Sequence, residues 1–197
     1  MNGQHLARTW EILPGGGYST AWAGLTDRSL TARGRAVGLE PEPYWVTYAL
    51  ETGDAYVTSA LRVTVETETG AGRRTLDLRH DAGRWSVDGE HRPDLDGALD
   101  CDLGLCPLTN TMPVLRHGLH RSPAGAAHAF LMAWVSVPGL EVTASRQTYT
   151  PLGPAGRSAR IRYESGDFQS DVEFDGDGLV LDYPGLARAL PQGPAAG

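Results

Sequence analysis

The feature that most constrains this chain is a period-two alternation of apolar and polar residues that returns along its length. Its clearest instance sets Val57, Leu61, Val63 and Val65 on one face and Thr58, Arg62 and Thr64 on the other. Successive side chains of a strand point to opposite faces, so this pattern describes a strand buried on one side only. Tyr44, Val46, Tyr48 and Leu50 repeat it, as do Trp85 with Val87, Ile161 with Tyr163, and Phe168 with Val172 and Phe174. Turn residues separate the runs at 15–17, 51–54, 70–72, 81–83, 88–89, 153–156, 165–167 and 175–178. Their short spacing favours hairpins, because parallel crossovers need a dozen or more residues.

Two runs depart from this pattern. The first, His128 to Val137 (HAFLMAWVSV), is apolar on both faces and is predicted to lie centrally in the sheet, covered on each side. The second, Glu141 to Thr150 (EVTASRQTYT), is extended but polar on both faces, with Arg146 and Thr148 on one and Ser145, Gln147 and Tyr149 on the other. It fits either the lining of a solvated cavity or an edge strand. Helical signals are confined to Thr109–His120, with Thr or Asn as cap and Pro113 in the first turn, and to Gly185–Leu190. The predicted fold is therefore mainly β, a β-rich α+β chain built on one antiparallel sheet with one or two short helices as a lid. A single domain is expected over 1–190, with 191–197 as a frayed tail.

Composition narrows the function. A chain of 197 residues can bury a sizeable core without a disulfide or metal staple. A net charge of -7 argues against nucleic acid or an anionic membrane as the main partner, since both would attract a basic face. No stretch approaches the roughly twenty apolar residues that span a bilayer, and the first residues lack the apolar run of a signal peptide. A cytoplasmic location is the expectation. All 17 basic residues are Arg, which removes lysine Schiff-base chemistry and the P-loop lysine.

No cofactor or metal site is expected. Cys101 and Cys106 do not have zinc-ribbon spacing and read as free thiols, and no third ligand is spaced to join His117 and His120. PGGGY at 14–18 is a connection rather than a phosphate loop, and Asp175-Gly-Asp177-Gly is a tight turn rather than a calcium loop.

The polar run DCDLGLCPLTNTMPVLR at 100–116 is the most informative stretch. Read alone, it is a connection whose Asp, Thr and Asn side chains satisfy backbone groups and cap the following helix. Asp100, Asp102 and Leu103, then Pro107, Thr109, Asn110, Thr111, Pro113 and Arg116 also form a pattern that resembles the signature of the putative glycolipid-binding family of bacterial proteins. Met112 stands where that family has Leu, a volume-conserving change, and Cys106 where Thr is common. AWVSVPGL at 133–140, Gln147-Thr-Tyr149, Arg162-Tyr163-Glu164-Ser165, Gly178-Leu-Val180 and Asp182-Tyr183-Pro184-Gly185-Leu186 extend the resemblance, as do Trp85–Gly89 and Leu95–Gly97 upstream.

The resemblance implies a strongly curved antiparallel sheet, an open half-barrel similar to bacterial lipoprotein carriers, whose concave face under a helical cover accepts an acyl chain. It supplies no catalytic residues. The expected partner is an amphipathic small molecule or lipid such as a glycolipid or fatty-acyl molecule. Asn110, Arg116, Gln147, Tyr149, Trp134 and Tyr48 are the candidate ligand contacts; Asp100, Asp102, Thr109, Thr111, Asp182 and Tyr183 are expected to be structural. Trp22, Tyr44 and Trp85 are further candidates for the apolar wall. Two alternatives remain at this stage. One is an enzyme on a small hydroxylated or phosphorylated substrate using Asp100, Asp102 and Asp182; the other is a ligand-free regulatory or partner-binding protein with a filled interior.

Overall fold

A computed structural model describes residues 3–13, 15–68 and 72–191. The predicted tail falls almost wholly outside them. The first eight strands are β1 (Gln4–Ile12), β2 (Gly17–Leu25), β3 (Leu30–Gly38), β4 (Tyr44–Thr52), β5 (Thr58–Thr67), β6 (Arg73–Asp81), β7 (Arg84–Val87) and β8 (Glu90–His91). After β9 (Asp100–Leu103) comes the one α-helix among the described residues, α1 (Thr111–Arg116). It follows a 3-10 turn at Pro107–Asn110 and precedes another at Leu119–Arg121. The chain then runs through β10 (His128–Val135), β11 (Val142–Ala155), β12 (Ser158–Ser165), β13 (Phe168–Phe174), β14 (Val180–Tyr183) and β15 (Ala187–Ala189).

The fifteen strands among the described residues form one sheet in the order β8-β7-β6-β5-β4-β3-β2-β1-β15-β14-β13-β12-β11-β10-β9. Every pairing is antiparallel except β9 with β10. The sheet is thus two meanders joined where β1 meets β15, with Trp10 opposite Ala189 and Ile12 opposite Ala187. Across this join the Trp10 indole N–H donates to the Val180 carbonyl at 2.8 Å, and Arg8 pairs with Asp175 at 2.5 Å. The rest of the Asp175 carboxylate holds its own turn, accepting from the N–H groups of Asp177 and Leu179.

The sheet rolls until its last strand approaches β5. Thr58 N–H donates to the Leu99 carbonyl at 3.0 Å, and Cys101 N–H donates to Thr58 Oγ1 at 3.1 Å. No ladder joins β9 to β5 in the described pairings, so the sheet is not closed. The alternation places one face of each strand inside the roll: Tyr44, Val46, Tyr48 and Leu50 of β4 are buried while Trp45, Thr47 and Ala49 are exposed. The roll narrows where glycines stand opposite tyrosines. A Cβ at Gly34 would lie 2.3 Å from the Tyr48 ring and one at Gly38 would lie 2.0 Å from Tyr44, so both rings lie flat over bare backbone.

The polar run continues into the interior. Leu108 to Val114, Leu119 and His120 are all buried, and the segment touches β5 through Met112 and β14 through the 107–110 turn. It fills the roll from within. Cys101 and Cys106 are buried free thiols, and burial raises the pKa of both, that of Cys106 to about 11.

Five expectations need correction. Gly185–Leu190 is a turn followed by β15, because Gly185 takes a left-handed conformation (φ 79°) that ends any helical start, and Leu186 N–H closes the turn on Tyr183. The run from His128 is next to last in the sheet, covered by β9 at its outer side, and not central. Thr58 points inward, because a register shift after Glu51 leaves both Ala60 and Leu61 buried and changes the phase of β5. Trp22 stands on the outer face, half exposed, and is no part of an interior wall. Asn110 occupies the helix N-cap position without a capping bond.

Candidate functional site

β9 ends in a tight turn in which Cys106 N–H donates to the Leu103 carbonyl at 3.1 Å. Leu105 adopts a left-handed conformation there (φ 58°), an arrangement that costs a non-glycine residue about 1–2 kcal/mol. This turn forms one side of an open cleft of about 720 Å³. Trp134, Thr143, Ser145 and Arg146 from the start of the β10–β11 hairpin form a second side, and Tyr163, Phe168 and Tyr183 form the third. The volume is within the range of small-molecule sites, about 300–1,000 Å³.

A buried polar network floors the cleft. Gln147 Nε2 donates to Asp102 Oδ2 at 2.7 Å, while the Thr109 hydroxyl lies 2.8 Å from Asp102 Oδ1 and accepts from Leu103 N–H at 3.2 Å. The Tyr149 hydroxyl lies 3.3 Å from Gln147 Oε1 and 3.4 Å from Asn110 Oδ1. Strand register makes the network possible: Trp134 pairs with both Asp102 and Thr143, which brings β11 within one strand of β9. Burial raises the Asp102 pKa, with the two donors pulling it back. Burial likewise raises the phenols of Tyr163 and Tyr183 and dominates at Tyr149.

The aromatic side is a run of edge contacts. Tyr149 meets Tyr163 at 5.3 Å between ring centroids, and Tyr163 meets Tyr183 at 5.7 Å and Phe168 at 6.0 Å. Such edge-on pairs hold the rings in place, so the cleft wall is preformed.

The candidate residues divide by place. Trp134, half-buried, and Asn110 line the cleft itself. Gln147 and Tyr149 lie beneath it, each 1% exposed. Arg116 lies elsewhere: its guanidinium forms a two-toothed ion pair with Asp100 and donates to the Ala55 carbonyl, beside a separate surface depression. Tyr48 is buried over Gly34, on the far meander. Of the structural set, Asp102 and Thr109 join the network, Tyr183 lines the cleft, and the Thr111 hydroxyl is buried with no hydrogen bond among the described residues.

Asp182 faces Arg188 at 3.4 Å on the opposite face of β14 from Tyr183, so the three carboxylates of the enzymatic alternative do not converge. Sequence reasoning did not single out Tyr163 or Phe168 as contacts, and it placed Arg146 only within the doubly polar run that fits a cavity lining or an edge strand. The available signal was the turn Ser165-Gly166-Asp167, which sets Tyr163 and Phe168 on either side of one hairpin end.

The lining offers ring faces and edges, hydroxyls and one exposed guanidinium. It contains no histidine, and the Asp102 oxygens are already engaged. It offers hydrogen-bond partners for hydroxyls beside an apolar surface.

Among known proteins, the family model described as putative glycolipid-binding matches residues 7–189. A crystal structure of a DUF1089 family protein from Pseudomonas aeruginosa is similar to this chain, with a TM-score of 0.71 and 32% sequence identity over 87% of this chain and 92% of that one. No curated protein matches.

Proposed function

The chain belongs to the putative glycolipid-binding family, and from that premise we propose that it binds the headgroup of a glycosylated amphiphile, without turnover, in the cleft beside Trp134. The observation that carries this reading is the cleft's lining, where preformed aromatic rings meet hydroxyls and Arg146 over a floor of satisfied buried polar groups. Sugars present both a polar rim and an apolar face, and a half-exposed indole is suited to the latter.

The interior supports a particular pose. Much of the 103–122 segment is buried within the roll, and the crevice between Tyr48 and Cys106 holds about 10 Å³. An acyl chain therefore lies along the rim at Leu105, Val137 and Leu186 in this reading, and not inside the sheet. Asn110 contacts the headgroup, while Gln147 and Tyr149 hold the floor. Arg116 and Tyr48 act on the fold.

Native mass spectrometry of protein purified gently from cells, followed by titration with extracted glycolipids, tests the proposal. A bound amphiphile is expected, with Trp134→Ala and Arg146→Ala each weakening titrated binding by about tenfold while circular dichroism stays unchanged. Absence of any adduct together with flat titrations would overturn it.

A further inference from the structure

The outer face of β2–β4 carries an apolar patch that folding leaves uncovered. Tyr18 pairs with Val37 and Val37 with Trp45, so three exposed side chains form one outward row across the strands. Leu39, also exposed, follows Val37 at the two-residue spacing of the same face. The next outward rows are Thr20–Arg35–Thr47 and Trp22–Arg33–Ala49. A contiguous exposed apolar row of this kind marks an interaction surface.

Charge on this face is mixed but sorted. Glu11 stands opposite Tyr18 and Glu66 opposite Trp45, so an acid closes each end of the aromatic row, and Glu40 and Glu42 follow it in the connection from β3 to β4. The cations Arg35 and Arg33 stand one and two rows behind it on β3. Neither closes an ion pair among the described residues, although Glu66 lines the same shallow hollow as Arg35, and Glu51 the same hollow as Arg33. A face with acids around its aromatic row and arginines behind it suits neither a uniformly anionic nor a uniformly cationic partner. It is complementary to itself in reverse.

Register decides how two such faces can meet. A two-fold axis running along β3 would set Arg35 on Arg35 and Glu11 on Glu66, like charges opposed. An axis running across the strands, between the first two rows, instead lays β3 over its own copy with the row order reversed. Arg35 of each copy then meets Val37 of the other, between the Tyr18 and Trp45 rings and within reach of Glu66, so the guanidinium finds ring faces and a carboxylate together. Arg33 meets Leu39 and Glu40, while Glu51, a row beyond Arg33, falls at the margin of the contact. Each of these contacts is made twice.

We infer that the outer face of β2–β4 is the interface of a homodimer whose two copies are related by a two-fold axis across the strands. A face three strands wide is small beside a standard interface, so association is expected at about micromolar concentration. The inference stands on the chemistry of that face and does not require the cleft's ligand.

Sedimentation equilibrium of the full chain between about 1 and 100 µM tests it, with a reversible monomer–dimer equilibrium as the expected result. Tyr18→Ser with Trp45→Ser should weaken dimerisation by at least about tenfold through lost apolar burial. Arg33→Glu with Arg35→Glu turns the face mainly acidic, and Glu40→Arg with Glu66→Arg turns it mainly basic; each variant should be monomeric alone. An equal mixture of the two should dimerise again, because each face then supplies the charge the other lacks. Circular dichroism of every variant reports whether it has folded. A chain that stays monomeric to about 100 µM, whether or not it pellets with phosphatidylcholine vesicles, would overturn the inference. So would dimers that survive the aromatic substitutions or form in either charge variant alone, which would place the interface elsewhere. Two folded charge variants that remain monomeric when mixed would reject the reciprocal geometry and the inference with it.

Discussion

Asp102 lies in the interior because two side chains donate to it, and its neighbour Asp100 lies there because Arg116 does. Removing a donor leaves a buried carboxyl short of partners, which costs about 1–3 kcal/mol. Gln147→Leu is accordingly expected to lower the unfolding free energy by that amount in urea titrations, with the Tyr149 hydroxyl losing a neighbour as well. Asp100 carries a pH signature. Burial raises its pKa to about 7 despite the Arg116 guanidinium, against 3.8 unperturbed. The protonated form is thus favoured by folding: the stabilisation is fully present below about pH 4 and is lost as pH rises through about 7. Compared with Asp100→Asn, the native chain should lose stability across that window, measured as the difference between the two urea series. The sequence showed the density of Asp, Thr and Asn at 100–111 but not what each touches. Asp102 and Gln147 are 45 residues apart, and only strand register brings them together.

At the level of elements, alternation located β4 and the body of β5 because each strand buries one face only. It failed where backbone geometry changes the phase or the state. The register shift after Glu51 and the left-handed Gly185 are local conformations with no hydrophobic period, so Thr58 and β15 were misread. The β10 run was misplaced because an apolar strand reads the same whether it is covered by strands on both sides of a wide sheet or by β9 near its margin. The glycine–tyrosine pairs of β3 and β4 are legible only afterwards, since neither residue signals which partner the strand register sets opposite it. Gly38→Ala would drive a methyl group into the Tyr44 ring, and overpacking of this kind costs about 1–3 kcal/mol. Thermal unfolding should show that loss, and the double variant with Tyr44→Ala should lose less than the sum of the two single changes.

For the molecule as a whole, the interior segment and the two joins between meanders do what a closed barrel would do with a ladder. Met112 is fully buried at the centre of that segment, and Met112→Ala should cost about 2–5 kcal/mol with little change in glycolipid titration. Thr58 bridges the open join to β9, so Thr58→Val should speed amide exchange at Cys101 more than in β2 or β3. The sequence announced a sheet with short helical material. That the helical material would plug the roll was not legible, because burial of Thr109 and Asn110 goes with hydrogen bonds rather than with apolar periodicity.

The pairing of β1 with β15 sets an order in time. During synthesis β1 leaves the ribosome with its hairpin partner β2 close behind, but β15, which covers its other edge, follows every other strand of the described sheet. Until then the nascent chain carries an uncovered strand edge, the kind of surface on which unfinished proteins stick to one another. A stop codon anywhere before Ala187 should therefore yield insoluble protein, even though most of the sheet has been translated.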